Sequence, residues 1–168
     1  ADNIIAIGYQ AGFANTGVEN TFLGYESGKS NTSGTGNTSF GYKSYDGATT
    51  YTNNSAFGKD TLGSLTTGGF YNDNTAVGSE ALKTVINCFG ATAVGKGAMG
   101  TTAFMAGSYN TAVGTGALGS VSGGNNLALG GFAAAGGVGG GISSGSNNTV
   151  LGTFAANDFN YTGSNNTM

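Results

Sequence analysis

The sequence predicts an all-β protein: a parallel β-solenoid (β-roll) of about nine coils, each 16–22 residues long. Three observations carry this. A five-residue unit recurs nine times without gaps, its residues alternate with period two, and the composition supplies turns rather than helices. Glycine accounts for 34 of 168 residues, proline and tryptophan are absent, and only 8% of residues are charged. Average chains hold about 7% glycine and about 25% charged residues. Collagen needs glycine at every third residue together with abundant imino acid, so it is excluded. Apolar residues still make up 38% of the chain and fall at regular places, which a disordered linker does not require.

The unit reads Asn-Thr-small-Φ-Gly, where Φ is a bulky apolar residue. It begins as Ile4-Ile5-Ala6-Ile7-Gly8 and recurs, for example, as Asn20-Thr21-Phe22-Leu23-Gly24, Asn74-Thr75-Ala76-Val77-Gly78 and Asn148-Thr149-Val150-Leu151-Gly152. The closing glycines are Gly8, Gly24, Gly41, Gly58, Gly78, Gly95, Gly114, Gly130 and Gly152, and a tenth copy opens at Asn166-Thr167-Met168. Residues 1–168 therefore form one repeat domain. Three residues past each glycine sits a small residue (Ala11, Ser27, Ala81 or Ala117, for instance), and the next is often apolar, as at Leu62, Leu82, Met99 and Leu118. Each coil thus reads as strand, glycine corner, short second strand and a Gly/Asn/Ser/Thr return loop. A helix would need apolar residues at i, i+3, i+4 and i+7 over ten or more positions, and the glycines interrupt any such run.

Alternation puts Thr and Φ on one face of the strand, and Asn and the small residue on the other. The Φ column (Ile7, Leu23, Phe40, Phe57, Val77, Val94, Val113, Leu129 and Leu151) is expected to fill the coil. The mainly alanine column is expected outside, where it admits another surface. The corner glycines answer either positive φ or backbone crowding. One coil buries two or three apolar side chains at roughly 1.5–3 kcal/mol each. Ordering its backbone costs about 1–2 kcal/mol per residue, so a coil stands only when stacked on neighbours. Packing alanine columns around an axis makes a homotrimer the expected assembly.

The unit resembles the head repeats of YadA-like trimeric autotransporter adhesins, and its longer form, as in Asn20-Thr21-Phe22-Leu23-Gly24-Tyr25-Glu26-Ser27-Gly28, is similar to repeats of phage-type tail-fibre proteins. The resemblance spans nearly the whole chain. It implies a left-handed, usually trimeric β-roll that projects from a cell or virion and binds a surface or matrix. The coils here are longer than the adhesin form.

Composition narrows the function classes. There is no histidine, so His-based nucleophile activation and most metal triads are missing. No carboxylate pair has catalytic spacing. Glu26, Asp60 and Glu80 fall two residues past their glycines, where solvated corner residues are expected rather than a cation column. No enzyme activity, metal or cofactor is expected. The net charge of −3, with five lysines and no arginine, argues against nucleic acid. No apolar run reaches the length of a membrane span. Cys88 is expected to be a small buried apolar residue. The chain opens on Ala1 without a signal peptide, as expected of a processed chain or a piece of a longer one.

Tyr9, Tyr25 and Tyr42 each follow a corner glycine, as candidate surface-binding aromatics or as a stack that stiffens the corner. The loop aromatics Phe70, Tyr71, Phe104, Tyr109, Phe159 and Tyr161 are expected on the return side. Glycosylation sequons occur at Asn31, Asn37, Asn53, Asn147, Asn160 and Asn165. A threonine ladder on a flat solenoid can order water, but Thr shares its face with Φ and is expected inside. The function expected is a non-enzymatic extracellular fibre segment at a cell surface or on a virion, adhesive or receptor-binding with a structural rod role; the alternative is a self-assembling, purely structural secreted filament subunit. Its expected partners are itself, as a homotrimer or filament, and a cell-surface glycan or protein.

Overall fold

The computed structural model describes residues 3–47, 49–63, 71–85, 87–100, 107–119, 121–136, 141–142, 144–157 and 160–168. Phe70, Phe104 and Phe159 lie outside them, as does the side chain of Tyr161. The described residues hold no α-helix, and every strand is short. The strands are β1 (Ile5–Ile7), β2 (Thr21–Leu23), β3 (Thr38–Phe40), β4 (Ser55–Phe57), β5 (Thr75–Val77), β6 (Thr92–Val94), β7 (Thr111–Val113), β8 (Leu127–Leu129), β9 (Gly141–Ile142), β10 (Thr149–Leu151) and β11 (Asn160–Tyr161). Nine of them form one parallel sheet in the order β1-β2-β3-β4-β5-β6-β7-β8-β10. Register is identical throughout: Thr75 pairs Thr92, Ala76 pairs Ala93 and Val77 pairs Val94. The strands β9 and β11 pair parallel as a separate two-stranded sheet. The predicted parallel β-solenoid is the fold observed.

Each of the nine strands of the main sheet runs into its corner glycine, with φ between 119° and 139°. From Gly8 to Gly130, an added Cβ would sit under 3.0 Å from the backbone of the next corner glycine. Both reasons offered for these glycines therefore hold. Beyond each corner the chain turns twice. The Gly8 carbonyl accepts from Ala11 N at 3.3 Å, and the Gln10 carbonyl accepts from Phe13 N at 3.3 Å. The third residue of each turn has positive φ, 53° at Gln10 and 58° at Gly12, as type II turns require. The same positions are positive in later coils, at Asp60 and Leu62 and again at Glu80 and Leu82.

These turns reverse the expected faces. Positive φ at two alternate positions breaks period two, so the residues three and four past the glycine both point inward. Ala81 and Leu82, Ala98 and Met99, and Ala117 and Leu118 are all buried. A coil this thin has no room for a second bulky column opposite them, so the small strand residue faces in. Phe22, Ser39, Ala56, Ala76, Ala93, Ala112, Ala128 and Val150 are fully buried. The Φ column expected to form the core lies outside. Ile7, Leu23, Phe57, Val77, Val113, Leu129 and Leu151 are exposed, from 37% at Leu23 to 60% at Ile7, while Phe40 and Val94 are half-buried. The alanine column is interior, so it is not an interface between chains.

Interior volume is shared between strand and turn. In four rungs the strand offers Ala56, Ala76, Ala93 or Ala112 and the turn offers Leu62, Leu82, Met99 or Leu118, whereas Ala128 faces the smaller Ala134. Where the strand offers Phe22, the turn offers Gly12 and Gly28, and a Cβ on either would collide with the Phe22 ring. Beside this core runs an asparagine ladder. Asn37 N donates to Asn20 Oδ1 at 2.9 Å and Asn54 N donates to Asn37 Oδ1 at 2.9 Å. The Nδ2 groups bond carbonyls of the return loop, as Asn37 to Tyr51 at 2.8 Å and Asn74 to Cys88 at 2.8 Å. The ladder, interrupted at Ala91, thus staples return loops to their strands and satisfies backbone groups that burial would leave unpaired. Cys88 is fully buried in that loop column, and burial pushes its thiol up to about 12.

Candidate interaction surface

Two outward arrays stand on this scaffold. The first is the outer face of the sheet. One column runs Thr21, Thr38, Ser55, Thr75, Thr92 and Thr111, then Leu127 and Thr149. The other is the Φ column from Ile7 to Leu151. No charged residue occupies any strand position of the nine rungs. Among the described residues, none of these threonine hydroxyls bonds to another protein group. At β5, β6 and β7 the strand is Thr-Ala-Val three times over, a patch built of two β-branched side chains of the same shape.

The second array is the tyrosine row. Tyr9 and Tyr25 stack at 5.1 Å between centroids, 18° apart, and Tyr25 and Tyr42 at 5.2 Å, 9° apart. All three are exposed, and Lys43 Nζ lies 5.7 Å from the Tyr42 centroid. Rings stacked this way cover one another's faces and present their edges and hydroxyls to solvent. The row stiffens its corner and at the same time offers polar edges to a partner. Phe40–Phe57 and Phe132–Phe154 repeat the stacking on other columns, each at 5.3 Å.

The corner acids are ion-paired. Glu26 meets Lys29 at 2.8 Å and Lys43 at 3.3 Å, and Glu80 meets Lys83 at 3.0 Å. Asp60 lies 3.8 Å from both Lys59 and Lys83. The hydrogen bond from Lys29 holds the Glu26 carboxyl below its ordinary range, and Lys83 does the same for Glu80. Asp46 departs from them: burial pushes its carboxyl up, and its Oδ1 has no hydrogen-bond partner. Among the described residues, no three His, Cys, Asp or Glu side chains lie together as a metal site.

The sequons divide by position. Asn31 and Asn37 are fully buried and sealed from modification in the folded coil, whereas Asn53, Asn147 and Asn165 are exposed. A feature missed in the sequence explains the last three. The residue before each ladder position has positive φ: Glu19, Asn53, Asp73, Tyr109, Asn125, Asn147 and Asn165 lie between 57° and 60° or, at Asn165, at 64°. Asparagine tolerates that conformation better than other non-glycine residues. The recurring Asn-Asn pairs therefore combine a left-handed first residue with a buried second one, and that signal was legible. Known protein-family models, curated proteins and solved structures include no match to this chain.

Proposed function

We propose that the chain is a rod segment of a non-enzymatic extracellular fibre, with a structural role and an adhesive one. The observation that supports this best is that the strands repeat one parallel register from rung to rung, with an asparagine ladder beside them that is interrupted at Ala91. The last described residues continue both: Asn166 N and Nδ2 donate to Asn148 Oδ1 at 3.0 and 2.9 Å, and Thr167 bridges Thr149 in parallel. Such a register adds length, as a fibre needs. The exposed tyrosine row is the contact proposed for a cell-surface glycan or protein. With the alanine column interior, self-association into a homotrimer or filament runs through an outer column.

Electron microscopy and light scattering of the purified chain, with a cell- and glycan-binding assay, test the proposal. Rods or filaments are expected, with binding that weakens in a Tyr9→Ser, Tyr25→Ser, Tyr42→Ser variant. A compact monomer at micromolar concentration that binds no cell or glycan overturns it.

A further inference from the structure

We propose that the Thr/Φ face of the sheet binds ordered water and adsorbs to ice. Threonine inside the coil could order no surface water, but the structure puts this column on the outer face, with Thr75 exposed and its neighbours half-buried. Parallel strands in perfect register space the rungs about 4.7–4.9 Å apart, and residues i and i+2 stand about 6.6 Å apart along each strand. The hydroxyls and methyls therefore form a rectangular lattice, of a size close to the short repeats of hexagonal ice. From Thr21 to Thr111 six consecutive rungs carry a hydroxyl, and none of these hydroxyls is committed to another protein group. Beside each stands an apolar side chain, which cannot compete for the waters the hydroxyls anchor. The Thr-Ala-Val rungs at β5, β6 and β7 make the most regular stretch, because the same two β-branched side chains repeat in register.

A second copy of the chain fits this face less well. A dry contact would bury up to six hydroxyls without partners, each costing about 1–3 kcal/mol. The face is only two side chains wide, whereas a stable interface buries about 800 Å² per partner. Water satisfies every hydroxyl at no such cost. Neighbouring columns carry Lys59, Glu80 and Lys96, which keep the rest of the surface hydrated.

The test is thermal hysteresis and retention in a slowly growing ice hemisphere, measured on the full chain. Thr92→Lys places a charge in the centre of the lattice, and Thr115→Lys places one on the exposed corner column. Circular dichroism and the melting temperature establish that both variants fold. Should Thr92→Lys unfold, Thr92→Val, which removes one hydroxyl and keeps the shape, replaces it. The wild type and Thr115→Lys are expected to show hysteresis and enter ice, and the lattice variant to lose most of both. No hysteresis in the wild type, or equal activity in all variants, overturns the proposal. So does an oligomer without ice activity that Thr92→Lys dissociates, which would assign the face to contact between copies. The fibre role survives such a failure, because it rests on rung-to-rung bonding.

Discussion

Glu19 occupies a left-handed position, φ 60°, where equivalent coils place Asn53, Asn125 and Asn147. Holding a glutamate there costs about 1–2 kcal/mol, less for asparagine. Glu19→Asn is expected to stabilise the chain by about 0.5–1 kcal/mol, read as a rise in the denaturation midpoint. The Glu26 ion pairs add a pH dependence. Its folded pKa lies below the unfolded one, so the stabilisation is fully present above the ordinary carboxylate range and is lost as pH falls through the folded value. Asp46 shifts the opposite way, chiefly through burial, which Glu26→Gln leaves in place, and in lesser part through the Glu26 charge. The stability difference between wild type and Glu26→Gln should therefore shrink as pH is lowered through the carboxylate range, as urea denaturation at several pH values would show.

Within a rung, strand and turn share one interior volume. Phe22→Ala should cost about 3–5 kcal/mol. Gly28→Leu should also destabilise, because its Cβ would enter the Phe22 ring. The pair together, however, recreates the Ala/Leu arrangement of Ala56 with Leu62 or Ala76 with Leu82. Leucine tolerates that left-handed backbone at Leu62 and Leu82, with φ of 48° and 50°. The double variant is expected to recover about 1–3 kcal/mol of the summed loss, measured as a double-mutant cycle in chemical denaturation. A strand of three residues has little identity of its own; its facing is decided by the turn that follows.

Across the molecule, stability passes from rung to rung. Asn126 Oδ1 accepts from Asn148 N at 3.0 Å and Asn148 Nδ2 at 3.1 Å, and Asn126 Nδ2 donates to the Gly123 and Gly145 carbonyls at 3.1 and 2.9 Å. Asn126→Ala would strand several of these buried groups and is expected to cost about 2–5 kcal/mol. Hydrogen exchange should show the rungs nearest Asn126 and Asn148 opening first. The architecture was legible in the chain because register follows from repetition: Asn-Thr-x-Φ-Gly at fixed places determines what pairs with what. The corner glycines were legible for the same reason. The inside of the coil was not. Period two tells which residues share a face but not which face is inner, and bulk alone pointed to Ile7, Leu23 and Phe40. The answer lay in Gln10, Asp60 and Leu62, whose left-handed backbones turn two successive residues inward, a conformation those residue types do not announce. The tyrosine row was legible as a row, but only the ring geometry showed edges rather than faces to solvent.

Cys88 gives this rod a clock. Its sulfur is sealed in the loop column, its carbonyl is held by Asn74, and its proton is retained well above physiological pH. A thiol-specific dye reaches it only in the moments when that coil lifts away from its neighbours. The labelling rate, followed in buffer with no denaturant, therefore counts those openings one at a time, through a single atom the chain already carries.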